Sequence, residues 1–256
     1  HQPVKGLELA DKFHLPKGIS VDRLQDRQEL QRQVDRLQRG LEKEDLFSNY
    51  DRTTQQAFEM VLSGKVQKAF DLDQESDKTR DEYGRVSVGE KALLARRLVE
   101  RGCGFITVTT NFVWDMHADS NNATLTEGMG YVGTPFDHAV SAFIEDVEAR
   151  GLRDKILLVC CGEMGRNPKV NKKGGRDHWG GSAPLMIYGG GLKMGQVVGS
   201  STKDGGEPAS DRVTIPNLYA TIMETVLDTG AVRAMAGIPP EVLQVINGAS
   251  PIKQLM

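Results

Sequence analysis

Three short stretches of this chain place acid, imidazole and guanidinium groups at spacings that could do chemistry. In Trp114-Asp115-Met116-His117 a carboxylate and an imidazole stand two residues apart. In an extended backbone they leave the same face, which supplies half of a mixed-ligand metal site. The same residues would also serve a polar turn capped by its aspartate, with the histidine merely exposed. Gly162-Glu163-Met164-Gly165-Arg166 sets a carboxylate and a guanidinium among glycines. Glu163 could ligate a metal and Arg166 could hold an oxyanion through paired N–H donors. A Glu–Arg pair steadying a turn is the alternative. Lys172-Lys173-Gly174-Gly175-Arg176-Asp177-His178-Trp179 completes the set. Its cations favour an anionic partner, although Lys172 and Lys173 also read as a solvated hairpin tip.

Convergence of the three stretches carries more weight than any one of them. Asp115, His117, Glu163, Arg166, Asp177 and His178 fall in successive loops. Mixed Asp, Glu and His ligands suit zinc, manganese, magnesium or calcium. One or two such ions beside an arginine suit attack on a phosphate or sulfate ester. Other chemistries lack their motifs: the chain has no G-x-S-x-G elbow and no G-x-x-x-x-G-K-S/T phosphate loop. Gly189-Gly190-Gly191 lacks dinucleotide-binding spacing and reads as a turn. The free-standing cysteines Cys103, Cys160 and Cys161 read as buried, inert thiols.

The elements that must position these residues alternate from residue 87 onward. Helical patterns are predicted over 87–101, 136–150 and 216–227, with a last short helix from Pro239. Strands are predicted over 104–110, 156–161 and 184–188, the second apolar enough to be buried on both faces. That order predicts an α/β fold, an α/β/α layered and mainly parallel sheet. In such sheets ligands sit outside the carboxyl ends of the strands, where the three loops lie. The first 100 residues are charged and helical in pattern. Ser20 caps a helix starting at Val21, with Leu24, Leu30, Val34, Leu37 and Leu41 as its apolar stripe. Further helices are predicted over 53–62, 65–70 and 77–83. The expected organisation is an irregular arm over 1–20 and one domain over 21–256. Within it, 21–85 forms a helical layer or insertion and 86–256 the α/β core.

Composition sets outer bounds. The chain has 256 residues and a net charge of −3, which disfavours bulk affinity for nucleic acid. A local cationic pocket around Arg166, Lys172, Lys173 and Arg176 remains compatible with that balance. No apolar run reaches the ~18–20 residues of a membrane-spanning helix. Three cysteines exclude a disulfide-built scaffold. Oligomeric state is not written in the sequence.

Taken in order, the motifs Trp114-Asp115-Met116-His117, Gly162-Glu163-Met164-Gly165-Arg166-Asn167-Pro168, Gly175-Arg176-Asp177-His178-Trp179 and Gly189-Gly190-Gly191 resemble a large bacterial family. So do Tyr83-Gly84-Arg85, Leu93–Glu100 and Asp211-Arg212-Val213-Thr214. That family is sulfatase-like, of unknown function, and placed in the alkaline phosphatase superfamily. The resemblance implies a parallel-sheet core and a metal-dependent hydrolase of sulfate or phosphate esters, sulfated or phosphorylated glycans among them. It implies Asp115, His117, Glu163 and His178 as metal ligands, Arg166 as the oxyanion-binding group and Asp177 as the carboxylate orienting His178. Met164 stands where the superfamily has an imidazole or amide ligand. The nucleophile-bearing opening strand is expected upstream of His1, making this chain the C-terminal portion of such a domain. Family members are exported, which raises the expectation of a periplasmic or exported protein. The rival expectation is a catalytically inactive member that binds anionic glycans.

Overall fold

The computed structural model describes residues 65–110 and 112–256, together with Ser20, Asp22, Arg23, Asp26 and Glu29. The chain divides into two compact units, His1–Thr109 and Thr110–Met256.

In the first unit the Ser20 cap forms: its Oγ accepts the Arg23 backbone N–H at 3.2 Å, and Asp22, Arg23, Asp26 and Glu29 are helical. The apolar stripe from Leu24 to Leu41 and the helix predicted over 53–62 lie outside the described residues. Helices α1 (Lys65–Phe70), α2 (Asp77–Glu82) and α3 (Ser87–Glu100) follow as the sequence predicts. Ser76 caps α2 through the Thr79 N–H, and Gly102, at φ +90°, ends the run after α3. Ala69, Phe70, Leu72, Tyr83, Leu93 and Leu94 are buried.

This small core also encloses two guanidinium groups, Arg96 and Arg97. Burying charge is costly unless it is paired and hydrogen-bonded. Glu75 meets both: its Oε2 is 2.8 Å from Arg96 Nη2, and its Oε1 accepts from Arg97 Nη1. Arg97 Nε donates to the Ala69 carbonyl at 2.8 Å, tying α3 to α1. Arg96 Nη1 reaches Glu100 at 2.5 Å.

The strand predicted over 104–110 does not form. These residues lack regular structure, and Phe105 is 80% exposed. Branched and aromatic side chains favour a strand only where a partner completes the ladder. Among the described residues none pairs with this stretch.

The second unit is built on α4 (Leu125–Ala149), which starts well before the predicted residue 136. Thr124 and Glu127 form a reciprocal capping box at its start. Pro135 removes only one rung of the ladder, and the helix continues through it. Strands β1 (Leu157–Cys161) and β4 (Leu185–Gly189) pair antiparallel, with Leu158 opposite Tyr188 and Cys161 opposite Leu185. Two short pairs, β2 (Gly165–Arg166) with β3 (His178–Trp179) and β5 (Ser200–Ser201) with β6 (Pro208–Ser210), are also antiparallel. Helices α5 (Ile215–Val226), α6 (Thr229–Ala234) and α7 (Pro240–Asn247) close the chain.

The fold is therefore mixed helix and strand, but the mainly parallel layered sheet is corrected: every sheet among the described residues is two-stranded and antiparallel. The reason lies in the connection. Parallel neighbours need a crossover, usually a helix. Residues 162–184 make none; they fold back as an irregular excursion and return the chain beside its own outgoing strand. With one partner each, β1 and β4 are half-buried rather than covered on both faces. The expectation of three buried thiols fails for the same reason. Cys161 and Cys103 are exposed, and Cys160 is half-buried, its thiol pushed up to about 11 by that burial. A small core of Leu192, Ile252 and Leu255 packs with Leu157 and Ile187, so the C-terminal tail covers part of the sheet.

The Glu75 cluster gives a direct test. Burial pushes its carboxyl up, but the hydrogen bonds and charges of Arg96 and Arg97 outweigh this and hold it below the ordinary value of 4.5. A depressed folded value stabilises above the unfolded value and loses that contribution as pH falls through the folded one. Glu75→Gln is expected to cost about 2–3 kcal/mol at neutral pH, by leaving two buried cations undercompensated. Denaturant unfolding against pH should show the wild-type advantage shrinking below about pH 4.5.

Candidate metal centre

Residues 112–117 form an irregular segment, bent at Phe112 and Trp114, whose side chains alternate in role. Phe112 packs edge-on against Tyr131 at 5.7 Å, and Trp114 against Phe136 at 5.6 Å. Met116 is buried over Gly128, where an added Cβ would lie 2.6 Å from its Cγ. These three side chains thus lie on α4. Asp115 and His117 leave the other face, as their spacing predicts.

The segment has no strand partner among the described residues, and backbone acceptors in it are satisfied by the loop that follows β1. Arg166 Nε donates to the Trp114 carbonyl at 3.2 Å, the Arg176 N–H to that of Met116 at 2.8 Å, and Asn171 Nδ2 to that of His117 at 2.9 Å. Ala118 then turns the chain in the left-handed region, at φ +58°.

This clamp brings the predicted residues together around one carboxylate oxygen. Asp115 Oδ1 lies 2.7 Å from His178 Nε2, 3.2 Å from His117 Nε2 and 3.0 Å from Arg166 Nη2. The two imidazoles stand 4.6 Å apart, centroid to centroid. Burial pushes the Asp115 carboxyl up, but the His178 hydrogen bond and the charges of His178, Arg166 and His117 prevail and hold it below the ordinary range. One ligand atom from each of Asp115, His117 and His178 can be chosen so that all three lie within 4.8 Å of one another. Among the described residues this is the one group of acid and imidazole side chains able to hold a metal ion.

The other predicted residues sit around this group. Glu163 is absent from it: its Oε1 accepts from Arg166 Nη2 at 3.1 Å, and its side chain is mostly exposed. Asp177 does not reach its neighbour His178. Its Oδ1 lies 3.3 Å from His117 Nδ1. Arg166 is engaged by Asp115, Glu163 and the Trp114 carbonyl, which leaves Nη1 as its one buried nitrogen without a partner.

Asn171 was not among the residues singled out by sequence. Its Oδ1 accepts the backbone N–H groups of Lys173 and Gly175, each at 3.0 Å, while Nδ2 reaches both His117 O and Asp177 Oδ1. The available signal was its position just before Lys-Lys-Gly-Gly, where asparagine commonly folds a turn onto its own side chain.

These features bring together an Asp/His/His group with donor atoms that could hold a metal ion, on a unit of mixed helix and strand. The chain belongs to the family described as Protein of unknown function (DUF1501), which matches residues 2–234. No curated protein and no solved structure matches the chain. This corrects the placement inferred from the motifs. The matching family carries no sulfatase or alkaline phosphatase assignment, and the parallel sheet of that superfamily is missing among the described residues.

Gly175 is where the clamp is tightest. A Cβ there would collide with the carbonyl carbon and oxygen of His117, which are backbone and cannot swing aside. Gly175→Ala is expected to destabilise the second unit by about 2–3 kcal/mol, an overpacking cost. Hydrogen exchange should show the Arg176 amide, normally bonded to Met116, losing its protection.

Proposed function

We propose that this chain is a divalent-metal-dependent hydrolase of sulfate or phosphate esters. The observation that carries the reading is the convergence of His117 Nε2 and His178 Nε2 on Asp115 Oδ1. Two imidazole nitrogens and a carboxylate oxygen aimed at one another are the donor set a cation would draw together. Zinc or manganese suits this set better than calcium or magnesium, which prefer oxygen ligands. Three protein ligands leave a position for water or substrate, and a bound ion would supply an acidified water and polarise the ester oxygen.

The chain's own residues have separable tasks in this reading. Asp177 holds His117 at Nδ1, which leaves Nε2 as the nitrogen facing the ion. Arg166 fixes Asp115 and supplies positive charge beside it. Glu163 restrains Arg166 rather than ligating. A second reading, an anion-binding module without turnover, is favoured by one feature. Among the described residues, the polar contacts of both histidines go to carboxylates and none to a hydroxyl or thiol nucleophile.

Calorimetric titration with zinc and manganese should give stoichiometric binding to the wild type. Asp115→Ala and His178→Ala are each expected to weaken it at least tenfold. Ligand groups must give up their protons to a metal, so affinity should fall as the solution is acidified. Turnover of aryl phosphates or aryl sulfates by the metal-loaded wild type separates the two readings. A protein that binds metal but turns over neither class is the anion-binding module, and one that binds no metal contradicts the hydrolase.

A further inference from the structure

A shallow cleft opens beside the candidate metal centre. Its walls are His117, Asp119, Asn171, Lys172, Lys173 and Asp177. Three of these residues, His117, Asn171 and Asp177, belong to the centre or to its support, so a group bound in the cleft would stand next to the proposed ion. The charges lining the cleft are not equivalent. Asp119 Oδ1 accepts the N–H groups of Asn121 and Asn122 and the Asn122 amide. Asp177 Oδ1 is shared by His117 Nδ1 and Asn171 Nδ2. Both carboxylates therefore already face donors. Lys172 and Lys173 are exposed, and neither ammonium is paired with a carboxylate among the described residues.

The sequence offers four cations for an anionic substrate: Arg166, Arg176, Lys172 and Lys173. The structure places two of them outside the cleft walls, the unpartnered Nη1 of Arg166 being buried. Arg166 is engaged by Asp115 and Glu163, and Arg176 donates to the Asn167 and Arg166 carbonyls at 2.5 and 3.0 Å. Both arginines hold the loop in shape. The lysines stay available, and their turn is not adrift. Asn171 accepts the Lys173 N–H and donates to His117 O and Asp177 Oδ1, so one side chain ties the lysine backbone to the His117 backbone and to the carboxylate that meets its ring.

We infer that the Lys172–Lys173 turn, rather than Arg166, is the recognition element for the anionic group of the substrate, with Asn171 as the residue that positions it. This rests on the reading of the neighbouring centre as the place of ester chemistry. The ligand class is a compact oxyanion, a phosphate or sulfate or the corresponding ester. Two flexible ammonium groups bind such a group as point charges, without the planar fork an arginine would impose. Tolerance of both tetrahedral anions follows.

The test uses inorganic phosphate and inorganic sulfate, titrated calorimetrically into the whole chain, metal-free and zinc-loaded. Wild-type protein should bind both anions in at least one form, more weakly as salt is raised. Lys172→Ala/Lys173→Ala should weaken binding roughly tenfold. Lys172→Glu/Lys173→Glu should abolish it, and Lys172→Arg/Lys173→Arg should keep it. Zinc affinity should be unchanged in all three, which shows that the centre is intact. Anion binding equal to wild type in the alanine and glutamate variants would overturn the inference, as would wild type binding neither anion in either form. Loss of zinc binding by the wild type would strike only the reading of the centre, because the lysine effect is also measured on metal-free protein.

Discussion

The irregular segment from Phe112 to His117 is the constraint on which the candidate centre depends. It belongs to no sheet among the described residues, so nothing regular fixes its register. Its even-numbered side chains are held by α4, and its carbonyls by Arg166, Arg176 and Asn171 of one loop. A slip of one residue would put Asp115 and His117 onto the helix and Met116 into the centre. The alternation thus resists a slip twice, through apolar burial on one face and backbone hydrogen bonds along the chain. The loop supplying those bonds is short of regular structure itself, which explains its two arginines. Their long side chains reach carbonyls that a strand partner would otherwise satisfy.

The two units place one carboxylate among several basic groups in the same way, in different surroundings. In the first, a single carboxylate, Glu75, compensates two buried guanidinium groups. In the second, a single carboxylate oxygen of Asp115 faces two imidazoles and a guanidinium. Removing the carboxylate in either place leaves like charges facing one another. The contexts differ in what they permit. The Arg96 side chain is only 1% exposed, so the first cluster has no route for a ligand and serves packing. The His178 side chain is 50% exposed, so the second can admit one.

Much of this was legible in the sequence, for identifiable reasons. The same-face argument for Asp115 and His117 assumed an extended backbone; the segment is instead irregular and bent at Phe112 and Trp114, yet the two side chains still meet, 3.2 Å apart. Helices α1, α2 and α3 followed from local spacing and caps. The early start of α4 was missed, because glycines and Pro135 outweighed the Thr124–Glu127 box that begins it. The parallel sheet was missed for a different reason. Apolar β-branched runs report that a strand is buried, not the direction of its neighbour, and direction here is decided by the irregular return of residues 162–184. The contact of Asp177 was missed because adjacency in sequence misleads in extended chain. Consecutive side chains point to opposite faces, so Asp177 cannot follow its neighbour His178 and meets His117 across the loop.

That last detail gives the two histidines different mechanical standing. His117 is anchored at two points, its ring Nδ1 by Asp177 and its carbonyl by Asn171, while Nε2 faces Asp115 Oδ1 at 3.2 Å. Its side chain is 19% exposed. His178 is held at Nε2 alone, and it stands more open to solvent. A ring anchored in this way has lost its rotational freedom before any ligand arrives, so ordering it costs little further entropy. A ring fixed at one point can swing about its Cβ and adjust to an ion of different radius. In the proposed centre, Asp115 and His117 therefore form the rigid pair that defines where an ion sits. His178 is the adjustable third ligand, and it sets how tightly ions of different size are held.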